Sequence, residues 1–268
     1  MKIAYRGSDF HGQARQPGLP TVEGEVLRAL TRTRAIRDAG TSRFQSASRT
    51  DRGVSALGNV VAFDTRLPPE GVVRGFNAKA RGVWAWAAAS VSEDFSARRA
   101  QERWYRYVLP AHHDADRLNA SLRRFEGEHD FRNFTRDRTR TVARIDLARA
   151  TAGGDSTTLD FKAPSFRWNL VRRLVSAALR VESGKASLGD IDSALEARRS
   201  IDLGLAPPEA LILMEVAYEF EIPPVQDPTT RDRVRRLLED RERDARILRE
   251  IVGKFEVPPR KSPPLGNL

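Results

Sequence analysis

Two apolar periodicities alternate along this chain, and their order limits the fold more than any single motif does. Residues 2–5 form a short run that predicts an opening strand. Val22, Val26, Leu27 and Leu30 then recur at helical spacing. Thr21 stands where a cap is needed, and Glu23 and Glu25 fall in the first turn, where the helix dipole favours anions. A compact strand is predicted over 59–64 (NVVAFD), and a helix opened by Pro68 and Pro69 runs to about residue 79. Two further strands are predicted over 83–91 and 103–109. The order is β, α, β, α, β, β.

The next stretch repeats the kind of pattern without repeating residues. It predicts a helix over 118–125, strands over 142–150 and 157–161 joined by a Gly153–Gly154 turn, and helices over 168–181 and 188–197. The second of these helices is capped near Ser187, and a strand over 211–220 closes the stretch. Segregated strands and helices of this kind predict an α+β class, with two ferredoxin-like (RNP-like) halves over 1–110 and 111–220. The remainder, 221–268, is a proline-rich loop followed by an amphipathic helix over 232–255. That helix is expected to pack on the chain's own core, with a dimer interface as the alternative. Residues 258–268 read as frayed or extended.

Composition narrows the chemistry. Cysteine is absent, which excludes disulfides, iron–sulfur clusters, Cys-ligated zinc and a thiol nucleophile. Only 4 His argue against a His-rich metal site. No apolar run approaches the length of a membrane span and the first residues lack a signal-peptide apolar core, so a soluble, cytoplasmic protein is expected. Lys and Arg number 46 against 36 Asp and Glu, a net charge of +10, which favours a polyanionic partner, nucleic acid above all. An Arg-rich compositional bias is the plain alternative. Residues 1–110 carry 18 cations and 10 anions, whereas 111–220 carry 17 of each and 221–268 carry 11 and 9. The excess therefore belongs to the first half rather than to a basic tail.

That half also holds the segment with chemistry in it. Residues 46–58 read SASRTDRGVSALG, a small, polar stretch with Asp51 between Arg49 and Arg52. An ordinary turn with an exposed ion pair accounts for such a pattern, and contributes little energy. The functional alternative is a carboxylate kept ionised by arginine, able to act as a nucleophile or to stabilise cationic character at a sugar C1′.

This segment resembles the catalytic motif of the tRNA pseudouridine synthase A family, G-x-G-R-T-D-x-G-V-H-A. Other signatures follow in the family's order: IAYRGSDFHGQARQP, TVEGEVLRAL, the helix with GFNA, FSARRAQERWYRYVLP, FEGEHDFRNF, FRWNLVRRLVSAAL and APPEALILMEVAY. The resemblance covers about residues 1–220. It implies a pseudouridine-synthase sheet with a central RNA-binding cleft, a uridine isomerase acting in the tRNA anticodon stem-loop, a homodimer, and no metal or other cofactor. Asp51 would be the nucleophile; whether it attacks C1′ or the base, or acts as a base toward a glycal, stays open. Tyr105 would stack on the extruded uracil, Arg49 would help extrude it and orient Asp51, and Arg172 would pair with Asp51. Leu211 would wall the base, and Arg52 would join the substrate-binding residues. On pattern alone, Tyr105 is a cross-strand aromatic beside Tyr107, Arg172 a solvated helix arginine and Leu211 strand core.

A uridine stacked in a stem hides C1′ and C5, so the enzyme must flip it out, at a cost of a few kcal/mol. Arginine–phosphate contacts offset that cost, and Arg6, Arg15, Arg28, Arg32 and Arg34 are candidates for them. The chain departs from the family pattern at Arg6, Ala14, Ser48, Ser55, Ser176 and Ala210. These departures motivate an alternative: a family-like tRNA-binding or remodelling protein with weak or no turnover. A glycosidase-like enzyme would need a second carboxylate, and a DNA regulator would need a helix-turn-helix or zinc-finger pattern; neither is recognisable. The expectation is a positive RNA cleft lined mainly by residues 1–110, with Asp51 at its floor.

Overall fold

The computed structural model describes residues 1–110 and 112–255. The chain divides into two compact units, Met1–Gln226 and the segment from Asp227 onward. In chain order the first unit runs β1 (Lys2–Tyr5), α1 (Val22–Arg32), β2 (Gln45–Ser46), β3 (Ser55–Ala62), α2 (Pro69–Lys79), β4 (Val83–Ala87) and β5 (Glu102–Leu109). It continues with α3 (Ala115–Leu122), β6 (Gly127–Asp130), β7 (Val142–Ile145), β8 (Leu147–Gly153), β9 (Ser156–Ala163), α4 (Leu170–Glu182), α5 (Leu188–Leu195) and β10 (Leu211–Ala217). The α+β class is as the sequence implies.

One sheet organises the unit, in the order β4-β1-β3-β10-β5-β9-β8, with β2 paired to β3 off this path. Its pairings are antiparallel except β10 on β3. The last strand, β10, thus lies between β3 and β5, with Leu213 opposite Ala56 on one side and Tyr105 on the other. This insertion brings the segment before β3 next to residues from the far end of the chain.

Strict alternation gives the sheet one buried face. Arg103, Tyr105, Tyr107 and Leu109 of β5 and Thr157, Leu159, Phe161 and Ala163 of β9 all point inward. Helices cover that face, with α1 and α2 against β4 and α3 against β8. The opposite face is polar: Asp160 accepts from Trp104 Nε1 (2.7 Å) and Arg106 Nε (2.8 Å), and the Arg106 guanidinium lies 5.0 Å from the Trp104 ring centre.

Helix ends follow their local chemistry. Thr21 Oγ1 accepts from Gly24 N, and Ser187 and Asp190 form a reciprocal capping box. Several boundaries differ from the periodicity. The first-half strand predicted over 59–64 begins earlier, at Ser55, and ends at Ala62. The run 142–150 is two strands, because the chain leaves the β6–β7 pair at Asp146 and joins β9 as β8. The strand over 83–91 stops at Ala87, where Ala88 N–H instead donates to the Pro223 carbonyl. The strand over 211–220 ends at Ala217. The helix predicted from 168 begins at Leu170, because Asn169 holds φ +65, outside the helical region. The short strands β2 and β6 were not predicted.

Among the described residues, the segment from Asp227 holds one helix, α6 (Pro228–Phe255). It starts four residues before the apolar periodicity does, because Pro228 suits a first helical position and Asp227 Oδ1 accepts from Thr230 N at 3.1 Å. None of its residues is buried. The expected frayed tail, 258–268, lies outside the described residues.

Candidate active site

The 46–54 segment is held by its buried members and presents the others. Ala47, Ser48 and Thr50 are buried, whereas Arg49 and Arg52 are exposed and Asp51 is half-buried. The backbone is fixed from several directions. Ala47 N–H donates to the Val60 carbonyl (2.8 Å), Gln13 N–H to the Thr50 carbonyl (3.0 Å), and Asn59 Nδ2 to the Ser48 carbonyl (3.0 Å). The Tyr5 and Thr50 hydroxyls share a 2.8 Å bond. Gly53 takes φ +89, open to glycine at little cost, and turns the chain into β3.

Asp51 accepts one charged and one neutral donor. Arg172 NH1 reaches Oδ2 at 3.2 Å, and Trp168 Nε1 reaches Oδ1 at 3.1 Å. Arg172 is itself fixed, since its Nε donates to the Ala206 carbonyl at 2.7 Å and its side chain is only 12% exposed. The Asp51 side chain remains 30% exposed. The carboxylate is therefore oriented but reachable, as a nucleophile requires.

The floor beside it is aromatic. Tyr105 is buried on β5, edge-on to Phe166 with ring centres 5.1 Å apart. Burial, with further contributions from Tyr5 and Asp51, pushes its phenol well above the usual range, so it stays protonated across neutral pH. Leu211 shares this buried face, directly opposite Tyr107 and one pair along from Leu213–Tyr105. The structure thus brings Asp51 and Arg172 into contact and sets Tyr105 and Leu211 on the sheet face nearby. Arg49 and Arg52 make no ion pair or hydrogen bond among the described residues.

The flanking arginines differ in availability. Arg6, Arg15 and Arg28 pair with Asp9, Glu23 and Glu25, while Arg32 and Arg34 are exposed and unpaired among the described residues. No group of three or more His, Asp or Glu able to hold a metal occurs among the described residues. No described helix is long and apolar enough to cross a membrane. A cavity of 480 Å³ lined by Arg43, Phe63, Asp64, Phe95 and Ile222 contains none of the site residues named above.

Sequence reasoning missed two residues here. The periodicity puts Trp168 at the start of a helix, and only the left-handed Asn169 after it shows otherwise. Arg103 is buried at 8% exposure without a carboxylate partner. Its guanidinium donates to Ser48 Oγ (3.0 Å) and to the carbonyls of Ala47 (3.0 Å), Arg98 (3.0 Å) and Pro164. The signal was present in the alternation of β5, which puts position 103 on the same face as Tyr105. Two departures from the family pattern find local uses: Ser48 gives Arg103 an acceptor, and Ser55 Oγ accepts from Gly7 N at 3.0 Å.

Comparison with known proteins bears on the whole arrangement. A family model described as tRNA pseudouridine synthase matches residues 122–219. The tRNA pseudouridine synthase A of Thermococcus sibiricus is 40% identical over 232 residues, covering 83% of this chain and 86% of that relative. The same-named protein of Methanococcoides burtonii is 39% identical over 90% of each chain, and that of Methanothermobacter thermautotrophicus 40% identical over 90% of this chain and 88% of its own. With the Asp51–Arg172 pair set beside a buried tyrosine, and with identity at this level over most of its length, the chain belongs to the tRNA pseudouridine synthase A family.

Proposed function

We propose that this protein isomerises uridine to pseudouridine in the anticodon stem-loop of tRNA, with Asp51 as the nucleophile. The observation that carries this reading is a reachable carboxylate bonded to a fixed arginine and bordered by a buried, protonated tyrosine. In the reaction the N1–C1′ bond of the target uridine breaks, the uracil turns, a C5–C1′ bond forms, the C5 proton is lost to solvent and N1 takes up a proton in its place. Asp51 reacts with the flipped nucleotide, and Arg172 holds the carboxylate in its direction. Tyr105 faces the base and Leu211 walls it. Arg49 and Arg52, free of protein partners among the described residues, are available to the displaced strand and its phosphates. Their freedom matters because extrusion of a stacked base must be offset by new contacts.

In this reading, residues 1–110 supply Asp51, Arg49, Arg52 and Tyr105, and residues 111–220 supply Arg172 and Leu211, with 221–268 as an extension. The enzyme works in the cytoplasm as a homodimer with tRNA crossing both subunits, a state that light scattering with and without tRNA measures directly. The decisive test uses tRNA transcripts carrying uridine tritiated at C5. The wild-type protein releases tritium, and Asp51→Asn binds the RNA without releasing it. Absence of release by wild type across a full tRNA set sinks the enzyme reading and leaves the tRNA-binding alternative. Release by Asp51→Asn at the wild-type rate sinks the nucleophile assignment.

A further inference from the structure

Trp168 is more firmly built than an exposed side chain requires. The residue is 52% exposed, yet its backbone is held at both ends. Its N–H donates to Asp137 Oδ2 (3.2 Å), and its carbonyl accepts from Arg136 N (3.1 Å) and Thr135 Oγ1 (3.1 Å). The next residue, Asn169, sits at φ +65 with no side-chain cap bond, a conformation that costs a non-glycine residue energy. Three backbone bonds thus hold one large aromatic at the surface, beside the Asp51 carboxylate.

The ring's geometry separates two uses. The indole N–H lies in the ring plane and donates to Asp51 Oδ1 at 3.1 Å. The Arg136 guanidinium lies over the ring, 5.3 Å from its centre. No other ring or cation stacks on it among the described residues. An in-plane hydrogen bond leaves the face opposite Arg136 available, so the ring can orient Asp51 and receive a flat partner at the same time. In single-stranded or splayed RNA that partner is a nucleobase, because every base has a π-face.

We infer that Trp168 is a positioning and base-stacking residue of this site: its N–H orients the Asp51 carboxylate, and its open face stacks a nucleobase adjacent to the flipped uridine. Arg136, behind the ring, stiffens the platform and adds positive charge for the neighbouring phosphate. The inference deepens the proposed function and rests on it for the identity of the RNA. The ring precedes α4, which begins only at Leu170.

The test separates the two uses with two substitutions in the full-length protein and unmodified tRNA transcripts carrying C5-tritiated uridine. Trp168→Phe keeps a stacking face and removes the N–H. It is expected to lower kcat about tenfold, the scale of one lost hydrogen bond to a charged group, with KM and Kd within about twofold of wild type. Trp168→Ala removes both and is expected to show the same loss in kcat together with a Kd raised about tenfold. In Asp51→Asn, tRNA is expected to quench part of the tryptophan fluorescence, and that part disappears when Trp168→Phe is added. An unchanged kcat in Trp168→Phe overturns the positioning role. Equal Kd in Trp168→Phe and Trp168→Ala, or an undiminished quench without Trp168, overturns the stacking role. Binding and quenching need no turnover, so a wild-type protein that releases no tritium overturns the proposed reaction while the stacking role is still decided.

Discussion

Arg172 NH1 lies 3.2 Å from Asp51 Oδ2, across 121 residues of chain, and the same guanidinium anchors its Nε on the Ala206 carbonyl. The pair ties α4 to the segment before β3. Because the arginine is fixed by a second bond, it sets the direction of the carboxylate and not merely its charge. Arg172→Lys keeps the charge but lacks the fork needed to make both bonds. It is expected to lower kcat for tritium release about tenfold, and Arg172→Ala about a hundredfold, with tRNA affinity changed much less. Single-turnover kinetics with saturating enzyme checks this, and a wild-type rate in Arg172→Lys would refute the directional role.

Arg103 makes a different kind of contribution. It joins Ala47 and Ser48 to Arg98 and Pro164, so it fixes one end of the Asp51 segment from within the core. Arg103→Met would leave those buried acceptors without a donor. The expected loss is about 3 kcal/mol of stability, read as a lower urea midpoint at unchanged slope. Arg103→Lys should recover only part of it, since an ammonium cannot span the same acceptors.

All 4 tyrosines, at 5, 105, 107 and 218, have their phenols raised, chiefly by burial. For Tyr5 the value is about 12, against 10.0 for an exposed phenol. The unfolded chain therefore gives up its protons first, and stability, complete below pH 10, falls as pH rises from 10 toward 12. The Tyr5 shift alone corresponds to about 3 kcal/mol across that window. Absorbance at the tyrosinate band should stay flat through pH 10 in the native protein and rise there in denaturant. A native titration centred at 10 would contradict this packing.

Two glycines should respond in opposite directions to alanine. A Cβ on Gly7 would lie 2.3 Å from the backbone of Gly53 and 2.4 Å from that of Val54. Gly7→Ala must therefore push the Asp51 segment, and is expected to cost about 3 kcal/mol and to lower kcat. Gly75, within α2, would meet nothing closer than Thr33 Cγ2 at 3.7 Å. Gly75→Ala is expected to stabilise by about 0.5–1 kcal/mol without affecting turnover. Thermal melts alongside tritium release distinguish the two.

Local chemistry decided much of this molecule in advance. Thr21 and Ser187 cap the helices expected of them, because capping is a contact between near neighbours. Alternation along β5 and β9 showed which side chains face inward, because a strand's period is intrinsic to its backbone. Asp51 stood out by its flanking arginines and its family-like motif. Boundaries were less legible wherever a distant partner ends or splits an element, as at Asp146, where the chain changes sheets.

Tertiary structure alone decided how the site is assembled. No spacing rule relates Trp168 or Arg172 to Asp51, and they meet because β10 inserts between β3 and β5 and because Asn169 turns the chain before α4. The same holds for Arg103, whose burial depends on acceptors from four separate positions. Sequence by itself determined the class of fold and the caps, since those follow from short-range sterics and residue chemistry, and its resemblance to a family motif singled out Asp51. Which donors converge on that carboxylate, and which aromatic stays open beside it, are long-range contacts that exist only once the sheet has closed.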